Sequence, residues 1–148
     1  SGFIDITGEQ VTFFRSSISG YDIRVNSTQI TTSQCNITMD TLNFFQNKFA
    51  VGSTGIINTD TIYRITKTAS FAGSSMSNDG ILWESYFIPL TVTANATLTG
   101  ISSNGFGIFV NNHINISKTF ENMRFDGVGS LGGVKFNNLV PSTFEFKS

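Results

Sequence analysis

The chain has one cysteine, two prolines, one tryptophan and one histidine among 148 residues, and only 13% of its residues are charged. A single cysteine excludes an internal disulfide framework and any zinc site built from cysteines alone. In Cys35-Asn36-Ile37-Thr38-Met39 an alternating chain puts Cys35 with Ile37 and Met39, so it is expected as a small buried hydrophobe. An ordinary soluble domain carries about 25% charged residues. Here nine Lys and Arg stand singly against ten Asp and Glu, with no run of like charge. Nucleic-acid binding needs clustered cations that displace counterions, so no nucleic-acid partner is expected. Basic-patch binding to membranes fails for the same reason. No apolar stretch approaches the roughly 20 residues of a spanning helix, so no membrane insertion is expected, and the opening residues do not read as a signal peptide. Residues 1–148 fit one domain, long enough to bury about two-thirds of the unfolded surface.

In place of charge the chain has 18 Ser, 18 Thr and 14 Asn. Such a surface is neutral and hydrogen-bonding, and its composition points to an extracellular or virion-surface location. Sequons at Asn26, Asn36, Asn95 and Asn115 are no more than the abundance of Asn, Ser and Thr produces by chance.

Period-2 alternation recurs along the chain. In 90–99, Leu90, Val92, Ala94, Ala96 and Leu98 take one side and Thr91, Thr93, Asn95, Thr97 and Thr99 the other. The same pattern runs through Tyr21–Val25, Phe106–Ile108, His113–Ser117 and Thr143–Lys147. Turn signals at Ser19-Gly20, Asn78-Asp79-Gly80, Asn104-Gly105, Asp126-Gly127 and Gly132-Gly133 separate such runs. The best helical candidate, Lys118–Arg124, spans about two turns. The pattern predicts an all-β chain, an antiparallel β-sandwich or jelly-roll-like single domain. The alternative is a parallel β-helix. Asp40-Thr41-Leu42 returns as Asp60-Thr61-Ile62, and Gly52-Ser53 returns as Gly73-Ser74. Both offsets are near one solenoid turn.

Two segments are apolar on both sides. Ile81, Trp83 and Phe87 oppose Leu82, Tyr86 and Ile88, while Leu42 and Phe44 oppose Phe45, Phe49 and Val51. A strand apolar on both faces must be covered on both. The chain also holds 15 Phe against one Trp and three Tyr. Phe lacks a polar edge and belongs in cores and permanent interfaces, so a homo-oligomer seam is expected at Phe44, Phe45, Phe49 and Phe87.

Raw material for catalysis is thin. No serine lies in a Gly-x-Ser-x-Gly elbow, and His113 opens a strand on its polar side, where it is expected to be solvated or hydrogen-bonded. The carboxylate pairs available for glycoside chemistry are Asp5 with Glu9, Asp79 with Glu84 and Glu121 with Asp126. Glu84 lies between Trp83 and Tyr86 and, if buried, needs a partner such as Arg64 or Lys67. Asn78, Asp79 and Asp126 lack calcium-loop spacing, and the glycines of 126–133 lack the lysine of a phosphate loop. No cofactor, metal or catalytic set is expected.

Composition and strand pattern resemble those of the β-rich head domains of phage and viral fibres and similar adhesins. The resemblance implies a non-enzymatic structural or attachment module of a virion surface, fibre tip or extracellular filament. It implies self-association, as a trimer, and a cell-surface glycan or protein receptor as partner. Exchange of a terminal strand between subunits is a variant of the same reading. The alternative is a carbohydrate-binding module, or a fragment of a polysaccharide-degrading β-helix, with Trp83, Glu84 and Tyr86 as its ligand contacts. Trp83 and Tyr86 stand three apart, so a regular strand points them to opposite sides.

Overall fold

The computed structural model describes residues 2–46, 52–87, 91–92, 95–113, 118–138 and 144–147. Its strands are β1 (Phe3–Phe14), β2 (Ser17–Ser19), β3 (Asp22–Ser33), β4 (Asn36–Gln46), β5 (Ile56–Thr59), β6 (Ile62–Ser75), β7 (Ile81–Ser85), β8 (Thr91–Val92), β9 (Asn95–Ser102), β10 (Phe106–Asn112), β11 (Lys118–Glu121), β12 (Met123–Gly129), β13 (Gly132–Asn138) and β14 (Phe144–Lys147). The all-β expectation holds. The antiparallel sandwich does not: among the described residues every strand pairing is parallel.

One large sheet runs in the order β12-β9-β6-β4-β3-β5-β7-β10-β13, and β12 and β13 meet in space, so the path nearly closes like a barrel. Asp22 pairs with Phe3 earlier in the chain and with Thr41 at the same distance later. Ile108 likewise pairs with Ile81 before it and Val134 after it, at nearly equal distances along the chain. A pairing partner one circuit earlier and another one circuit later is the register of a coil, so the parallel β-helix is the nearer expectation. The glycine turns misled because Asn78-Asp79-Gly80 and Asn104-Gly105 look like hairpin tips. They join β6 to β7 and β9 to β10, strands that do not pair with each other.

The pairings of the large sheet form three ladders, and β11 and β14 pair apart from it as a two-stranded sheet. The first takes the start of β1, the start of β3, the end of β4, the end of β6, β9 and β12. The second takes the end of β1, the end of β3, β5, β7, β10 and β13. The third joins β2 to the start of β4, the start of β6 and β8. A register shift between Met39 and Thr41 marks where β4 passes from the third ladder to the first. The segment Lys118–Arg124 is not helical. It spans β11 and the start of β12, divided by Asn122 in a left-handed conformation (φ 55°).

Alternation sends one side of each strand inward, and the register stacks those side chains in rows. One row is Ile6, Val25, Phe44, Phe71, Leu98 and Phe125; another is Val11, Ile30, Ile56, Ile81, Ile108 and Val134. Burying each such side chain contributes about 1.5–3 kcal/mol. Phe13, Phe44, Tyr63, Phe71 and Trp83 form a chain of ring contacts at 5.2–6.3 Å. Of the described Phe residues, Phe44 and Phe71 are buried in this interior and Phe13, Phe125 and Phe136 pack partly against it, while Phe3, Phe14, Phe45 and Phe87 are exposed. Cys35, Ile37 and Met39 are all buried, as the alternation predicted.

The corner between the first and second ladders is closed by glycine. A Cβ on Gly100 would strike the Gly107 carbonyl, and one on Gly127 would strike that of Gly133. A polar island inside the apolar stack bonds within itself: the Thr32 hydroxyl donates to Asn58 Oδ1 at 2.9 Å, and the Tyr63 hydroxyl reaches the same oxygen. Burial raises the pKa of Tyr63, which keeps its phenol neutral.

Candidate functional site

The second ladder also builds an outward face. Ile57, Leu82 and Phe109 stack on successive turns as one row, ending at Lys135. Two residues further along each strand a second row holds Thr59, Glu84, Asn111 and Asn137. Two residues beyond Glu84 and Asn111 come Tyr86 and His113. The face thus passes from apolar, to amide and carboxylate, to aromatic.

These side chains bond to one another. His113 Nε2 lies 2.9 Å from Glu84 Oε2 and 3.1 Å from Asn111 Nδ2. Asn137 Nδ2 donates to Asn111 Oδ1 at 3.0 Å. The Glu84 and His113 side chains are only 15% and 20% exposed. The hydrogen bond from the Tyr86 hydroxyl to Glu84 pushes the Tyr86 pKa up to about 12, aided by desolvation and by the charges of Glu84 and Asp60.

Asp60 sets the geometry beyond β7. It is buried, with a left-handed backbone (φ 46°) that Asp adopts more readily than most residues. Its Oδ1 accepts the backbone N–H groups of Tyr86 at 2.8 Å and Phe87 at 3.0 Å. The alternation stops there, and Phe87 stands 77% exposed instead of facing inward.

Of the residues singled out in the sequence, Glu84 and Tyr86 come together. Trp83 does not join them: it is 3% exposed, stacked between Asn58 and Val110 in the interior. The Glu84 partner is His113, rather than Arg64 or Lys67. Phe44 lies in the core, where it packs on Phe13, Tyr63 and Phe71. Phe45 is 51% exposed on the outside of the first ladder, so it shares no surface row with Phe87. Phe49 lies outside the described residues. Asp126 is held by Arg124 at 2.7 Å. The sequence reading missed Asn111 and Asn137 as site residues. Their signal was the correspondence of Ile81-Leu82-Trp83-Glu84-Ser85 with Ile108-Phe109-Val110-Asn111-Asn112, which pair residue by residue.

Residues 91–99 divide between β8 and β9, with 90 and 93–94 outside the described residues. Ala96 and Leu98 are buried, while Asn95 and Thr97 line a depression of about 580 Å³ with Thr68, Ser70, Asn122 and Arg124.

No family model matches the chain, and neither a curated protein nor a solved structure matches it. Its function is therefore argued from the site alone.

Proposed function

We propose that this chain is a non-enzymatic attachment module of an extracellular surface or virion. It associates with copies of itself and recognises a glycan or protein receptor through Tyr86, Phe87 and the polar groups beside them. The carrying observation is the grip of Asp60 on the Tyr86 and Phe87 amides. A buried carboxylate in a left-handed backbone fixes the main chain beneath a phenylalanine that is largely exposed. Exposed aromatics in fixed geometry favour recognition, because little conformational entropy remains to be lost on binding.

The test is binding of labelled protein to a panel of cell surfaces and immobilised receptors, with Phe87→Ala and Tyr86→Ala compared at equal folded concentration. Wild-type binding that drops at least tenfold in both variants supports the reading. Equal binding by all three proteins, or none by any, overturns it. The coil register lends some support to a second reading, a fragment of a polysaccharide-degrading β-helix. Release of new reducing ends from a polysaccharide panel would favour that reading over attachment.

A further inference from the structure

We infer that the outward face of the second ladder binds a neutral oligosaccharide chain lying along the coil axis, across the strands. The inference names a ligand for the recognition reading above and rests on it.

On this face the chemistry stays constant in one direction only. Along the axis the Ile57–Leu82–Phe109 row stays apolar, and the Glu84–Asn111–Asn137 row stays polar and hydrogen-bonding. Along each strand the character changes at every second residue. A ligand with one apolar flank and one hydrogen-bonding flank along its whole length therefore fits only parallel to the axis. Adjacent strands repeat at about 4.8 Å, an interval close to that of successive rings in a saccharide chain. An extended peptide repeats its side chains at about 6.7 Å, the two-residue strand rise, and would fall out of step.

The groups suit hydroxyls. A sugar hydroxyl both donates and accepts, and an amide carries two donors and two acceptor lone pairs. Asn137 is half-buried and can meet a ligand directly, while Asn111 is buried and holds Asn137 through its Oδ1. The carboxylate of Glu84 adds a strong acceptor. Ring C–H faces of a sugar would rest on Leu82 and Phe109, with Tyr86 and His113 as the aromatic border. Charge favours a neutral ligand, since Glu84 sits mid-row and Lys135 lies at the far end of the apolar row. The Asn137–Asn111–His113–Glu84 chain of bonds holds these side chains before a ligand arrives, which lowers the ordering cost of binding.

The experiment is calorimetric titration of the full chain with neutral gluco-, xylo- and manno-oligosaccharides of increasing length, and with sulfated counterparts. Affinity in at least one neutral series should rise with chain length and then level off once the rows are covered. Asn111→Ala and Leu82→Ser should each weaken binding about tenfold, and Phe45→Ala, on another face, should leave it unchanged. Circular dichroism checks that each variant is folded, and Leu82→Ser carries the test if Asn111→Ala is not. No binding at millimolar concentration, binding indifferent to both variants, or a preference for the sulfated ligands overturns the inference. If no oligosaccharide binds while surface attachment persists and is lost in Phe87→Ala, the attachment reading stands and the saccharide inference alone falls.

Discussion

The imidazole of His113 lies flat against the phenol of Tyr86, with ring centroids 4.1 Å apart and planes within 10°. The two residues occupy matching places on consecutive turns, where the His113 N–H still donates to the Ser85 carbonyl at 2.8 Å, so the stack continues the strand spacing just past the ends of β7 and β10. Glu84 bonds to both rings, which makes the three side chains one coupled unit.

That coupling is measurable by ultraviolet titration of tyrosinate. Tyr86 should ionise at about 12, and Glu84→Gln should return it toward 10.0, the ordinary phenol value, because the charged acceptor of its proton is gone. The folded-state pKa is raised, so the stabilisation it represents is full below the ordinary value and is lost as pH rises through the folded one. An unchanged Tyr86 transition in Glu84→Gln would refute the coupling.

Asp79 supplies the opposite end of the pH range. Burial raises its carboxyl above 3.8, although the Phe106 N–H donates to it and lowers it in part. The folded state therefore holds this proton more tightly than the unfolded state, and stability from this group falls as pH rises through the folded pKa. Urea unfolding from acid to neutral pH should show the wild type losing ground to Asp79→Asn over that window. A constant difference between the two proteins would contradict it.

Gly100 should tolerate no side chain. Gly100→Ala drives a methyl into the Gly107 carbonyl, and the overpacking should cost about 3 kcal/mol in denaturant unfolding. Gly8→Ala, where a Cβ meets only Val11 at 3.7 Å, serves as the tolerated control.

Trp83 and Leu82 are neighbours in sequence with opposite stakes. Trp83→Ala should cost about 4 kcal/mol and abolish much of the near-ultraviolet circular dichroism, because its ring packs on Tyr63 and Phe71. Leu82→Ser, on the outward row, should stay within about 1 kcal/mol of wild type. Equal losses would mean that the inward and outward assignments of β7 are wrong.

Self-association is tested by light scattering after size exclusion. The proposal expects a mass near three times 16.1 kDa that survives dilution. A stable monomer would remove that part of it.

The sequence by itself determined which side of several strands faces inward. Ile23 and Val25, Ala96 and Leu98, and Cys35 with Ile37 and Met39 are buried where period-2 alternation puts them. It also determined that Trp83 and Tyr86, three apart, diverge. The direction of pairing was beyond it, because parallel and antiparallel strands alternate alike and Gly turns serve corners as well as hairpins. The recurrence of Asp-Thr-Leu as Asp-Thr-Ile was a coincidence: Leu42 pairs with Ile23 and Ala69, not Ile62. The true steps match by pattern of inward and outward positions rather than by residue identity, as Glu84 against Asn111 illustrates. Only the tertiary structure decided that His113 meets Glu84 and Tyr86, since a backbone ladder fixes neighbours through hydrogen bonds that every residue type except proline can supply.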